Sequence, residues 1–134
     1  MRYTRLYSDA AGESHFADVS VDVAPVNFAP PAPPLNMAQP VPAVRMISCE
    51  VPRGWIGDWH PTPQRQFWVQ LSGELEVQVS DGEVRRFRAG SVLLLEDAGG
   101  RGHLTKVIGS AGVEALFVQL PAVTGLAETA GSQL

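Results

Sequence analysis

The stretch Gly57–Val79, GDWHPTPQRQFWVQLSGELEVQV, decides the fold. After Gly73 every second residue is apolar (Leu75, Val77, Val79), the period of a strand with one buried face. Before it, QFWVQL is rich in aromatic and β-branched residues, which suit a pleated surface. Ser72-Gly73 supplies the turn between the two runs, and Ser80-Asp81-Gly82 supplies a second, hairpin-type turn.

Outward from this stretch the same punctuation continues. AVRMISCEV reads as one strand on the N-terminal side. AGSVLLLED, HLTKVIG and VEALFVQLP follow on the C-terminal side, separated by glycine-rich turns. No long stretch has helical periodicity. Many short strands at close spacing specify a sandwich or barrel, with antiparallel pairing expected throughout. Upstream, FADVSVDVAP places Val19, Val21 and Val23 on one face of a further strand. Seven prolines then fall between Pro25 and Pro42, which rules out a helix or central strand there. An extended, polyproline-like arm packed on the barrel is expected, anchored by Phe28, Leu35 and Met37. The layout is thus an N-terminal strand and arm over 1–42, a barrel over 43–122, and a tail of the same domain over 123–134, weakly amphipathic and expected to form a short helix or to fray.

With 134 residues, 45% hydrophobic and 18% charged, the chain has the makeup of one ordinary globular domain. A net charge of −4 argues against nucleic acid and acidic membranes as partners. Arg85, Arg86 and Arg88 read as a solvated strand face. Cys49 is the single cysteine, which excludes an intrachain disulfide and marks a small core residue. The N-terminus lacks the apolar run of a signal peptide and no segment has the length of a membrane span, so a cytoplasmic protein is expected. Gly99, Gly100 and Gly102 lack the strand-to-helix context of a phosphate loop, which argues against nucleotide binding.

His60 and the residues after it carry a resemblance to the cupin superfamily, in particular to small bacterial cupins of the conserved-barrel type. His60 matches the first histidine of the first cupin motif, and Gly73 its closing glycine. Thr62 stands in place of the second histidine and Gln66 in place of the glutamate. In the second motif Gly90 opens the segment, DAGG replaces the usual Pro-x-Gly turn, and His103 takes the place of the third histidine with altered spacing. The resemblance covers roughly Ala43–Leu120. It implies an all-β cupin barrel (a double-stranded β-helix, or jelly roll) with degenerate metal motifs. A complete site would hold a divalent transition metal such as Fe, Mn, Ni or Zn. Here the ligands would be His60, Gln66 and His103, with Glu50 as a further carboxylate if it points inward.

Strand parity gives a reading independent of the resemblance. Gln66, Trp68 and Gln70 share one face, as do His103, Thr105 and Val107, and Met46, Ser48 and Glu50. An inward set of His60, Gln66, Trp68, Gln70 and His103 would make a partly polar, aromatic-lined pocket of the kind that takes a small molecule. His60 and His103 are then the candidate acid and base. Trp68, Gln70, Trp59 and Glu50 are candidate contacts to a carbonyl, carboxylate or sugar-like substrate, with Arg65 or Arg101 orienting an anionic group. Trp55 and Trp59 suit either a ligand wall or a covered surface. Of Glu96 and Asp97 at most one can enter the pocket, and a solvated turn is the plainer reading. His15 is expected as an exposed capping residue. Catalysis, ligand binding without turnover, and a structural role without metal all remain open. A homodimer is expected in each case, to cover an exposed edge strand.

Overall fold

In the computed structural model the described residues are 1–122, and the expectation for the tail at 123–134 lies outside them. The chain opens with the antiparallel hairpin β1 (Arg2–Ser8) and β2 (Ser14–Ser20). Ser14 and Phe16 form the buried face of β2, and the strand stops at Ser20, short of Val21 and Val23. Among the described residues β2 pairs only with β1, whose first strand residue, Arg2, sits opposite Ser20. Val21 still donates its N–H to Met1 O (2.8 Å), and beyond it no described strand holds an extended valine face.

The proline-rich stretch departs from the expected arm. Ala24–Val26 (β3) pairs with Leu35–Met37 (β4) in a two-stranded sheet of its own, and Phe28 and Leu35 are exposed. Four of the seven prolines, Pro30, Pro31, Pro33 and Pro34, fall in the connecting loop. That leaves the flanking residues enough backbone donors to pair with each other, and such a short exposed hairpin tolerates Pro25.

The remaining strands are β5 (Arg45–Val51), β6 (Gln66–Gln70), β7 (Glu74–Val79), β8 (Val84–Phe87), β9 (Val92–Leu95), β10 (His103–Ile108) and β11 (Val113–Gln119). Six strands form one sheet in the order β2-β1-β9-β6-β11-β5, and three form a second in the order β10-β7-β8. β6 and β7 therefore lie in different sheets, and the turn at Gly73, with φ of +79°, carries the chain across the core. One pairing corrects the expectation of a wholly antiparallel barrel: β1 runs parallel to β9, with Leu6 opposite Leu95. The two strands are far apart in sequence and joined by no turn, so no local signal encodes their relative direction.

Between the sheets lies one hydrophobic core, built from the inward residues of β1, β2 and β6 to β11, among them Leu6, Phe16, Trp68, Leu75, Val77 and Leu93. Leu6 is completely buried, and removing such a side chain from water contributes about 2 kcal/mol. At one end the core gives way to a cavity. Among the described residues there is no helix, hence none long and apolar enough to cross a membrane.

Candidate functional site

The segment before β6 runs back along β10 and closes one wall of the barrel. Val107 donates its N–H to Trp55 O (2.8 Å) and Gly57 donates to Thr105 O (2.9 Å). His60 and His103 exchange backbone hydrogen bonds at 3.2 and 3.0 Å, an antiparallel bridge that sets their rings side by side with centroids 4.9 Å apart. This close approach requires glycine at 102. Its φ is +73°, and a Cβ there would lie 2.2 Å from the His60 carbonyl carbon. The glycine in GRGH thus admits the chain that carries His60.

His103 is buried, and its Nδ1 lies 2.6 Å from Oδ2 of Asp97, which has no solvent exposure. Asp97 Oδ1 is buried with no hydrogen-bond partner. The expectation of a solvated turn at Glu96-Asp97 is therefore corrected for both residues. Glu96 binds the guanidinium groups of Arg5 and Arg65 on the other side of the strand. Strand parity allowed one carboxylate inward; it gave no sign that this one would be sealed against a histidine. With Nδ1 held by the carboxylate, Nε2 is the ring nitrogen of His103 left for the cavity. His60 Nδ1 lies 2.6 Å from Asp58 O, which orients the second ring in the same manner.

The cavity has a volume of about 470 Å³. Trp68, Phe117, Leu75, Val77, Leu93 and Leu95 supply much of its wall, with Trp68 and Phe117 packed edge to face at 5.1 Å. Its polar end holds His60, His103, Thr105, Thr62, Gln66 and Gln119. The last three are engaged with one another. Arg45 donates to Gln119 Oε1, Gln119 Nε2 to Gln66 Oε1 (2.9 Å), Gln66 Nε2 to Thr62 Oγ1 (3.1 Å), and Thr62 to Gln64 O (2.9 Å). This relay fixes both amides with their hydrogen-bonding groups turned to each other.

Several sequence candidates lie elsewhere. Gln70 is buried but off the cavity wall. It accepts from Trp68 Nε1 and donates to Gly73 O and Phe87 O, so it holds the crossing turn and is not placed to contact a ligand. Trp59 is exposed and off the wall, whereas Trp55 stands on it. Glu50 reaches only the rim. It pairs with the exposed Glu114, while its neighbour Cys49 pairs with the buried Ala115, so the Glu50 side chain is on the outer face. Arg65 pairs with Glu96 and Arg101 with Glu13, and neither touches the cavity. Cys49 does line it, and burial, with Glu50 beside it, pushes the thiol up from its ordinary value. His15 is more than a cap. It bridges Asp9 (2.7 Å) and Asp81 (2.8 Å), joining the β1–β2 turn to the β7–β8 turn.

The donor set does not fit the four-ligand metal centre that the motifs imply. His60 and His103 are near enough to share an ion, but Gln66 Oε1 is taken by Gln119 and the Thr62 hydroxyl by Gln64. Among the described residues no three of His, Cys, Asp and Glu converge on one point suited to a metal.

No protein-family model matches the sequence, and no curated protein matches it. Solved structures do. The cupin domain of Schizosaccharomyces pombe Cnp3 matches with a TM-score of 0.50 and 17% identity, covering 81% of this chain and 73% of that one. A cupin 2 conserved barrel domain protein from Salinispora arenicola matches with a TM-score of 0.45 and 18% identity, covering 84% of this chain and 82% of that one. At such identities the likeness is one of architecture, and it agrees with the two facing sheets and the order of the motifs: by fold, this chain is an all-β cupin barrel.

Proposed function

We propose that the barrel binds a small organic molecule and that His103, held by Asp97, acts on it as general base and acid with His60 alongside. The observation that carries this reading is the buried 2.6 Å contact between Asp97 and His103 behind a cavity of about 470 Å³. A carboxylate sealed behind an imidazole is costly to build, and it contributes most where the far nitrogen handles a proton. The bare Nε2 accepts a proton from a bound O–H or an acidic C–H, and Asp97 steadies the imidazolium that results. His60 is placed to hydrogen-bond the same group.

Two measurements test this. Ligand-observed NMR with a panel of small carbonyl, hydroxyl, carboxylate and sugar compounds should give hits with the native protein. Thr105→Trp, which fills the cavity from a half-buried wall position, should lose them while keeping its melting temperature. Hits that persist in this variant bind elsewhere and sink the reading. Hydrogen–deuterium exchange at an acidic C–H of a bound hit should be faster with native protein than with His103→Gln. Equal rates would leave a binding barrel without acid–base chemistry.

We further propose a homodimer formed through β5. Among the described residues this strand ends the six-stranded sheet with one edge unpaired, and Val44 and Met46 are exposed beside it. A second copy would cover both the open ladder and the apolar side chains. Sedimentation at micromolar concentration should give a dimer, and Met46→Lys a monomer; a native monomer would refute it.

A further inference from the structure

We infer that the ligand of this barrel is an uncharged, largely apolar ring compound bearing one hydrogen-bond donor, and not a carboxylate, phosphate or sugar. This rests on the reading of the barrel as a ligand site. The argument comes from what the wall lacks as much as from what it holds.

Among the described residues, no lysine or arginine touches the cavity. Of the arginines close in sequence to its wall residues, Arg45 is held by Gln119, Arg65 by Glu96 and Arg101 by Glu13, while Arg53, beside the wall residue Pro52, is exposed and off the wall. An anionic group entering this space would shed its water without gaining a lysine or arginine in exchange, which is costly in a protein interior.

A sugar is disfavoured for a different reason. It needs a polar partner for nearly every hydroxyl, and three of the six polar side chains at the polar end are already spent on one another. Gln119, Gln66 and Thr62 satisfy one another in a relay that ends on Gln64 O. What is left free is the Thr105 hydroxyl and the far edges of His103 and His60, whose rings stand side by side. Opposite lie Leu75, Val77, Leu93 and the Trp68–Phe117 pair, whose edge-to-face packing presents flat apolar surface. Two imidazoles side by side at one end of a slot of aromatic and aliphatic carbon fit a planar molecule with a hydroxyl on one edge, such as a phenol or an enol.

The experiment compares naphthol, naphthoate and glucose near neutral pH, following the Trp68 indole and His103 ring resonances of the full chain. The first two share a ring system and differ in charge. Naphthol should shift both resonances, with naphthoate and glucose binding at least about tenfold more weakly. Thr105→Arg, which puts a cation on the wall, should narrow or reverse the naphthol preference over naphthoate. Naphthoate or glucose binding native protein as well as naphthol does would overturn the inference and leave the ligand-site reading standing. If none of the three perturbs the cavity resonances, both fall.

Discussion

Asp97 Oδ2 lies 2.6 Å from His103 Nδ1, and the carboxylate that makes this contact is wholly shielded from solvent. The pair arises where the loop after β9 meets the first residue of β10. It is braced by Thr62, whose N–H donates to Asp97 O at 3.2 Å. One acid therefore sets which edge of the imidazole meets the cavity.

Asp97→Asn keeps the shape and removes the charge. The native neutral ring should carry its proton on Nδ1, and the variant should lose that preference, because an amide can donate to the ring as well as accept from it. Nitrogen chemical shifts of the labelled histidine report the tautomer directly. An unchanged tautomer would mean that Asp97 does not orient His103.

Gly102→Ala should cost about 3 kcal/mol in denaturant unfolding, from positive-φ strain together with a backbone clash at His60. Gly82→Ala is the control. Its φ is +101°, yet an added Cβ would meet nothing within 4 Å, so strain alone applies and the cost should be about 1 kcal/mol. Equal losses would argue against the close approach of the two segments.

His15 bridges two carboxylates, and its pKa is raised chiefly by the hydrogen bond to Asp9 and then by that to Asp81. Asp9 is held below its ordinary range, first by His15, and Asp81 first by the Glu83 backbone N–H. A raised imidazole pKa contributes stability that is complete below about pH 6.5 and lost as the pH climbs through the raised value. Lowered carboxylate values contribute stability present above about pH 4 and lost as the pH falls through them. The bridge is therefore strongest between those limits. The stability difference between native protein and His15→Gln should peak there and shrink on both sides; a difference independent of pH would refute the bridge.

The native protein should bind cobalt(II) weakly and without the visible bands of a well-formed nitrogen–oxygen centre. A double variant, Thr62→His with Gln66→Glu, puts an imidazole and a carboxylate beside His60 and His103 and should show those bands at near-stoichiometric metal. Native protein that matches the double variant would show that the amide relay opens readily and that Gln66 can serve as a ligand.

The sequence by itself determined the strands, the turns and their faces. Alternation at Leu75, Val77 and Val79, and glycines at 73 and 82, are local signals that depend only on side-chain period and backbone freedom. Motif order from His60 to His103 carried the barrel, and parity brought Gln66 and Trp68 onto the inward face. The tertiary structure decided everything that requires two distant segments to meet. The parallel pairing of β1 with β9 has no turn to announce it. The outward turn of Glu50 follows from its register with Glu114. Gln70 is polar and inward, as a ligand contact would be, but its amide is claimed by Gly73 and Phe87. Asp97 looked like one of two exposed carboxylates until packing closed over it and set it against His103. Hydrogen bonds between segments far apart in sequence leave no period in the chain, and at this site they are what separates a ligand contact from a brace.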